Sequence, residues 1–147
     1  MPVDVNSSVV IGRAPAEVAA YACDPDNAMA WYKNIQAVEW KTPKPVTVGS
    51  RIAFLARFLH RPLAYTYEVV EFAPPERFVM RTAEGSFPME TTYTWVDDGA
   101  GGTRMTLRNR GEPAGFAKVG APLMASAMRR ANTEDLRRLK AILERAA

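Results

Sequence analysis

The chain has 147 residues, of which 48% are hydrophobic and 24% are charged, a balance that favours a single folded domain over residues 1–147 and argues against disorder. No apolar run reaches the roughly 20 residues that span a bilayer, and the N-terminus lacks the features of an export signal, so we expect no integral membrane association and a cytoplasmic location. The net charge of +3 is spread over separated arginines, which argues against nucleic-acid binding.

The N-terminal part of the chain predicts one strand followed by two short helices. Residues 3–11 alternate as a strand does. Pro15 suits the first turn of a helix. Asp24 and Pro25 then form a cap and a first helical position, which predicts a second short helix that runs to about Trp31.

From residue 35 onward, apolar and polar side chains alternate along six segments separated by turn residues. Short connections and one polar face are typical of an antiparallel sheet. With the first strand, this predicts seven strands, and we expect Arg81, Arg104 and Arg108 on the face in water. The six segments are 35–40, 51–58, 63–72, 77–82, 86–96 and 103–110.

After Pro113 the apolar period becomes helical and continues to the end of the chain. Pro122 lacks an N–H, so we expect a kink or a restart there. From Pro122 to Arg145 the helix would be about 36 Å long, enough to cross the sheet. A sheet with one apolar face needs a cover, and it must twist around that cover. The sequence therefore predicts an α+β protein in which a curved sheet wraps a long C-terminal helix, with space between them.

The chain resembles the START/Bet v 1-like (SRPBCC) superfamily, specifically its polyketide cyclase/dehydrase and lipid-transport branch. The resemblance is carried, in the family's order, by APAEVAAYACDPDNAMAWY, VGSRIAF, YTYEVVEFAPPERF, GGTRMTL and DLRRLKAILE. It implies the helix-grip fold over nearly the whole chain. It does not fix the chemistry, because this fold hosts carriers, cyclases, aromatic-ring hydroxylase domains and receptors.

Aromatic and methionine side chains crowd the face of the sheet that the last helix would cover. Ligand sites are mostly apolar with a few converging polar groups, and buried tyrosine and asparagine side chains need hydrogen-bond partners. We therefore expect a small apolar ligand between sheet and helix. The candidate ligand-binding residues are Trp31, Phe54, Phe58, Tyr65, Tyr67, Met80, Phe87, Met89, Tyr93, Met105, Leu107, Asn109, Leu123, Met124, Ala127 and Met128.

Two functions remain open from the sequence. The first is binding of an apolar or aromatic, lipid- or polyketide-like molecule. The second is a cyclase or aromatase that uses pocket tyrosines and Asn109 for positioning and proton transfer. His60 lies in a predicted turn, Cys23 is expected to be a buried small hydrophobe, and no metal or nucleotide motif occurs, so we expect no cofactor. The candidate residues contain no carboxylate or histidine, which favours binding over catalysis. The ligand's identity and the oligomeric state are not predicted.

Overall fold

The structure, a computed structural model, describes residues 3–85, 88–111 and 121–145. Its strands form one antiparallel sheet in the order β1-β7-β6-β5-β4-β3-β2, which confirms the predicted seven-stranded architecture. The strands are β1 (Val3–Ile11), β2 (Ile35–Trp40), β3 (Arg51–Phe58), β4 (Arg61–Ala73), β5 (Arg77–Gly85), β6 (Met89–Asp97) and β7 (Thr103–Gly111).

Two short helices follow β1, as predicted. Helix α1 (Pro15–Ala22) begins at its proline, and a 3-10 turn (Pro25–Asn27) leads into α2 (Ala28–Trp31). The Asp24 side chain caps the turn by accepting the Asp26 N–H at 2.9 Å. This capped turn brings the end of α2 against the inner face of the sheet.

The long helix α3 (Ala121–Arg145) covers the inner face of the sheet. Pro122 lies in its first turn, where a missing N–H has no intrahelical partner to lose. The expected kink or restart at Pro122 depends on the residues before Ala121, so it stays a prediction. The helical period expected between Pro113 and residue 120 lies outside the described residues. None of the helices in the described ranges combines the length and the apolar character that a bilayer crossing requires.

Short turns connect the strands. Leu59 and His60 join β3 to β4, both with left-handed backbone angles (φ 51° and 64°), so His60 lies in the turn where it was predicted. In the β6–β7 loop, Asp98 Oδ1 accepts from the N–H groups of Ala100 and Gly102 at 2.8 and 2.9 Å. The two-residue turn and the bonds of Asp98 each fix the register of their own hairpin.

The outer face of the sheet carries ion pairs, as the alternation predicted. Arg81 bonds Glu90 at 2.5 Å, and Arg108 bonds Asp4 at 2.6 Å. Arg104 is exposed on the same face. Because both side chains of the Arg108–Asp4 pair are exposed, that pair contributes at most about 1 kcal/mol. The stability of the fold must therefore come from the inner face.

The C-terminal half of α3 packs directly on the sheet. Leu136, Leu139 and Leu143 belong to one buried cluster with Met105 and Leu107 of β7, and none of these side chains exceeds 6% exposure. We call this cluster the solid core. The N-terminal half of α3 packs on β1 instead, where Met124 and Met128 form a second buried cluster with Val3 and Val5.

Candidate functional site

A cavity of about 150 Å³ lies beneath the N-terminal half of α3. The helix contributes Met124, Met128, Ala131, Asn132 and Asp135 to its wall. Spacings of three and four residues place these side chains along one helical face. The cavity therefore lies directly before the solid core along the helix axis.

The sheet and α2 contribute an aromatic wall. Alternation along β3 and β4 directs Phe54, Tyr65 and Tyr67 inward, with ring centroids 5.5 Å (Phe54–Tyr65) and 5.0 Å (Tyr65–Tyr67) apart. Trp31 at the end of α2 lies 5.8 Å from the ring of Tyr93 on β6. Such tilted contacts fix the rings against each other. The wall is thus a packed aromatic shell with a hollow at its centre.

Most of the predicted site residues border this cavity. They come from α2, from five strands and from α3, which the fold brings together. The residues are Trp31, Phe54, Phe58, Tyr65, Tyr67, Met80, Met89, Tyr93, Asn109, Met124 and Met128.

Other predicted site residues lie elsewhere. Met105 and Leu107 face inward but are fully buried in the solid core, away from the cavity. Leu123 is 67% exposed, because a rotation of about 100° per residue turns it away from the face that carries Met124. Ala127 is half-buried and does not line the cavity. Phe87 lies outside the described residues.

The expectation that the wall holds no carboxylate is wrong. Asp135 is 3% exposed and lines the cavity. It accepts hydrogen bonds from the Lys33 N–H at 3.1 Å and from Arg138 at 3.2 Å, and Arg138 also donates to the Trp31 carbonyl at 2.8 Å. Burial raises the pKa of Asp135, and the bonds from Lys33 and Arg138 oppose this without reversing it.

Tyr32 is a second wall residue that the sequence did not reveal. It directly follows α2, and its hydroxyl lies 2.5 Å from the Tyr93 hydroxyl. Burial raises the pKa of both tyrosines well above its usual range. Burial likewise raises the pKa of Tyr67 to about 12. All three hydroxyls therefore stay protonated near neutral pH and serve as hydrogen-bond donors rather than bases.

Four polar side chains form a continuous line of hydrogen bonds along the wall, which we call the polar chain. The Tyr67 hydroxyl contacts Thr91 Oγ1 at 2.8 Å. Thr91 donates to Asn109 Oδ1 at 2.6 Å, and Asn109 Nδ2 donates to Asn132 Oδ1 at 3.2 Å. The chain links β4, β6, β7 and α3, and it gives the inward-facing Asn109 its partners.

The remaining reactive groups are poorly suited to nucleophilic chemistry. Cys23 borders the cavity, but burial raises the pKa of its thiol to about 12, so the thiolate is scarce at neutral pH. His60 lies in its turn and does not line the cavity. The site is therefore an apolar cavity with hydroxyl and amide groups and one buried carboxyl.

A curved antiparallel sheet gripping a long helix over such a cavity defines the helix-grip class of proteins. Residues 2–144 match the family model described as polyketide cyclase/dehydrase and lipid transport, and the chain belongs to that family. A search of curated proteins found no match.

Solved structures support the fold assignment. The chain is similar to TTHA0849 from Thermus thermophilus (20% identity, TM-score 0.82, 98% of this chain and 99% of that one). It is also similar to a START superfamily protein from Mycobacterium smegmatis (13% identity, TM-score 0.82, 98% of this chain and 99% of that one). It is likewise similar to the Zhui aromatase/cyclase from Streptomyces sp. R1128 (12% identity, TM-score 0.81, 99% of this chain and 95% of that one). At these identities the likeness establishes the fold alone.

Proposed function

We propose that the chain binds a small, mainly apolar molecule, aromatic or lipid- or polyketide-like, in the cavity beneath α3. The observation that carries this proposal is a cavity of about 150 Å³ whose wall is mostly aromatic and methionine side chains. An apolar cavity of about this volume is large enough for benzene. A single ring or a short chain therefore fits without rearrangement, and the methionines of α3 can adapt to a somewhat larger ligand.

Binding should appear as stabilisation by a single-ring apolar probe such as ethylbenzene. At about 100 times its dissociation constant, a ligand that binds only the native state adds roughly 2.7 kcal/mol. For a chain of this length, that raises the melting temperature by about 5–10 °C. Differential scanning fluorimetry or calorimetry across a probe series would measure the shift.

A matched pair of variants tests the location of the bound probe. Met128→Trp places an indole ring in the cavity wall, whereas Arg129→Trp places the same ring on the exposed side of α3. The first should abolish the probe-induced shift and the second should preserve it. Equal loss in both variants, or no shift with any probe in the native protein, would contradict the proposal.

A second candidate is a polyketide cyclase or aromatase-type enzyme, and Asp135 is the observation that favours it. A carboxylate whose pKa is raised by burial is a stronger base than an ordinary one, and the bond between the Tyr32 and Tyr93 hydroxyls uses only one of their two protons, which leaves the other as a donor. The similarity to a protein whose name states an aromatase/cyclase raises the same possibility.

Incubation with a short poly-β-ketone thioester distinguishes the two candidates. A cyclised product that forms only with the protein, disappears in Asp135→Asn and persists in Glu134→Gln would support the enzyme. Glu134 is the control because it is the adjacent carboxylate on the exposed side of the helix. If the native protein forms no product from a thioester that it binds, the enzyme candidate fails and binding alone remains.

A further inference from the structure

Each member of the polar chain donates a hydrogen bond to the next one, from Tyr67 towards Asn132. Thr91 has a single hydroxyl proton, which it donates to Asn109, so Tyr67 must be the donor in the bond between Tyr67 and Thr91. Asn109 in turn donates its amide to Asn132. The chain therefore ends on the Asn132 amide nitrogen, which is a donor.

That last donor has no acceptor among the residues that the structure describes. Asn132 is only 5% exposed and lies on the cavity wall. Trp31 is fully buried on the same wall, and its indole N–H likewise finds no acceptor in the described ranges. Buried polar groups are nearly always hydrogen-bonded, so an otherwise complete network that ends in a free donor indicates an acceptor that the described residues do not supply. Both unmet groups on the wall are donors.

The surroundings of Asn132 favour a neutral acceptor. Asp135 lies one helical turn further along the same wall and is buried. A ligand carboxylate at Asn132 would bring a second negative charge beside that carboxyl in a poorly solvated site, which is unfavourable. Among the described wall residues the one cationic side chain is Arg57, and it is exposed.

We propose that the ligand is a neutral molecule with an apolar ring or chain and a carbonyl oxygen that accepts a hydrogen bond from Asn132 Nδ2. A carbonyl oxygen accepts without adding a donor of its own, so it matches a wall whose unmet groups are donors. This inference rests on the proposed binding function and adds the polar group that the ligand carries.

The test compares two probes of nearly equal shape. Acetophenone carries a carbonyl oxygen where α-methylstyrene carries a methylene group. Dissociation constants for both are measured with the native chain and with Asn132→Leu, by calorimetry or by displacement of a fluorescent apolar dye. The selectivity for the ketone is the dissociation constant of α-methylstyrene divided by that of acetophenone. We divide the selectivity of the native chain by that of the variant, and this quotient cancels the different hydration of the two probes. One hydrogen bond to a buried donor predicts a quotient of about ten or more.

Two further variants separate the hydrogen bond from general disturbance of the wall. Asn132→Val removes the donor with a smaller apolar side chain, so it should lose the same selectivity even if Asn132→Leu does not fold. Met124→Leu changes the apolar wall alone, and it should alter the affinities for both probes by the same factor. Benzoate should bind the native chain more weakly than acetophenone at neutral pH.

The outcomes separate this inference from the function on which it rests. If both probes bind and the quotient stays within about twofold of one, the carbonyl inference fails and the binding function stands. If benzoate binds more tightly than acetophenone, the ligand is not neutral and the inference also fails. If none of the three compounds binds the native chain, the binding function fails together with the inference.

Discussion

Filling the cavity from the sheet side should stabilise the chain. Ala56 on β3 is 6% exposed and lines the cavity, whereas Ala19 on α1 is fully buried and does not border it. Ala56→Leu and Ala19→Leu add the same atoms at two buried positions. The sign of the change in the free energy of unfolding therefore reports whether space exists at each position.

The expected magnitude follows from the atoms added. Leucine has three more carbon atoms than alanine, and burying them contributes about 2.4 kcal/mol at roughly 0.8 kcal/mol each. Restricting the leucine side chain costs about 0.5–1 kcal/mol. Ala56→Leu should therefore gain about 1.5 kcal/mol, because the cavity of about 150 Å³ can receive these atoms. Ala19→Leu has no such space and should lose about 1–3 kcal/mol through overpacking.

Urea unfolding followed by far-ultraviolet circular dichroism measures both changes. A higher midpoint with an unchanged slope indicates a gain in stability without a change in the denatured state. Ala56→Leu should also weaken binding of single-ring probes, since it occupies the same volume. The idea of a hollow is refuted if Ala56→Leu destabilises the chain as much as Ala19→Leu does.

Two other predictions concern a charge and a turn. Because burial raises the pKa of Asp135, ionising it opposes folding, an effect absent below the ordinary carboxyl pKa and fully present above the raised one. The stability of Asp135→Asn relative to the native chain should therefore increase from roughly pH 3 to pH 7, and a constant difference in urea midpoints would contradict this. Leu59→Asn combined with His60→Gly should stabilise the β3–β4 hairpin by about 1 kcal/mol, because these residues tolerate left-handed angles. An unchanged or lower melting temperature would show that the left-handed angles of Leu59 and His60 do not destabilise the native chain.

The sheet was predictable because the alternation within each strand allows only one assignment of side chains to the inner and outer faces. On β3, Ile52, Phe54 and Ala56 are inside, while Arg51 and Arg57 are exposed. A shift by one residue would reverse all five positions and bury two charges. The pairing of the first strand with the last was not predicted from the pattern, because alternation identifies the faces of a strand and not its neighbour.

The cavity wall was harder to predict, because it depends on the rotation of α3 against the sheet. Leu123 and Met124 belong to the same broad apolar stripe, and only contact with the sheet determines which one turns inward. Asp135 follows Glu134 in a charged stretch that resembles a solvated face. Its burial depends in part on the amide of Lys33, 102 residues earlier, a contact that no local pattern indicates.

The two halves of α3 contribute differently to folding and to the site. Leucines of the solid core, such as Leu136 and Leu139, each contribute about 1.5–3 kcal/mol by burial. Met128 faces a hollow, so it lacks partner atoms on that side and contributes less dispersion energy. Met124 and Met128 are nevertheless buried against Val3 and Val5 of β1, so the N-terminal half of the helix also holds the sheet. The wall residues Asn132 and Asp135, near the middle of the helix, differ from these apolar residues, because their burial costs free energy. Folding alone would favour leucine at these two positions. Their polarity is explained if they serve the ligand while the apolar residues on either side of them hold the fold together.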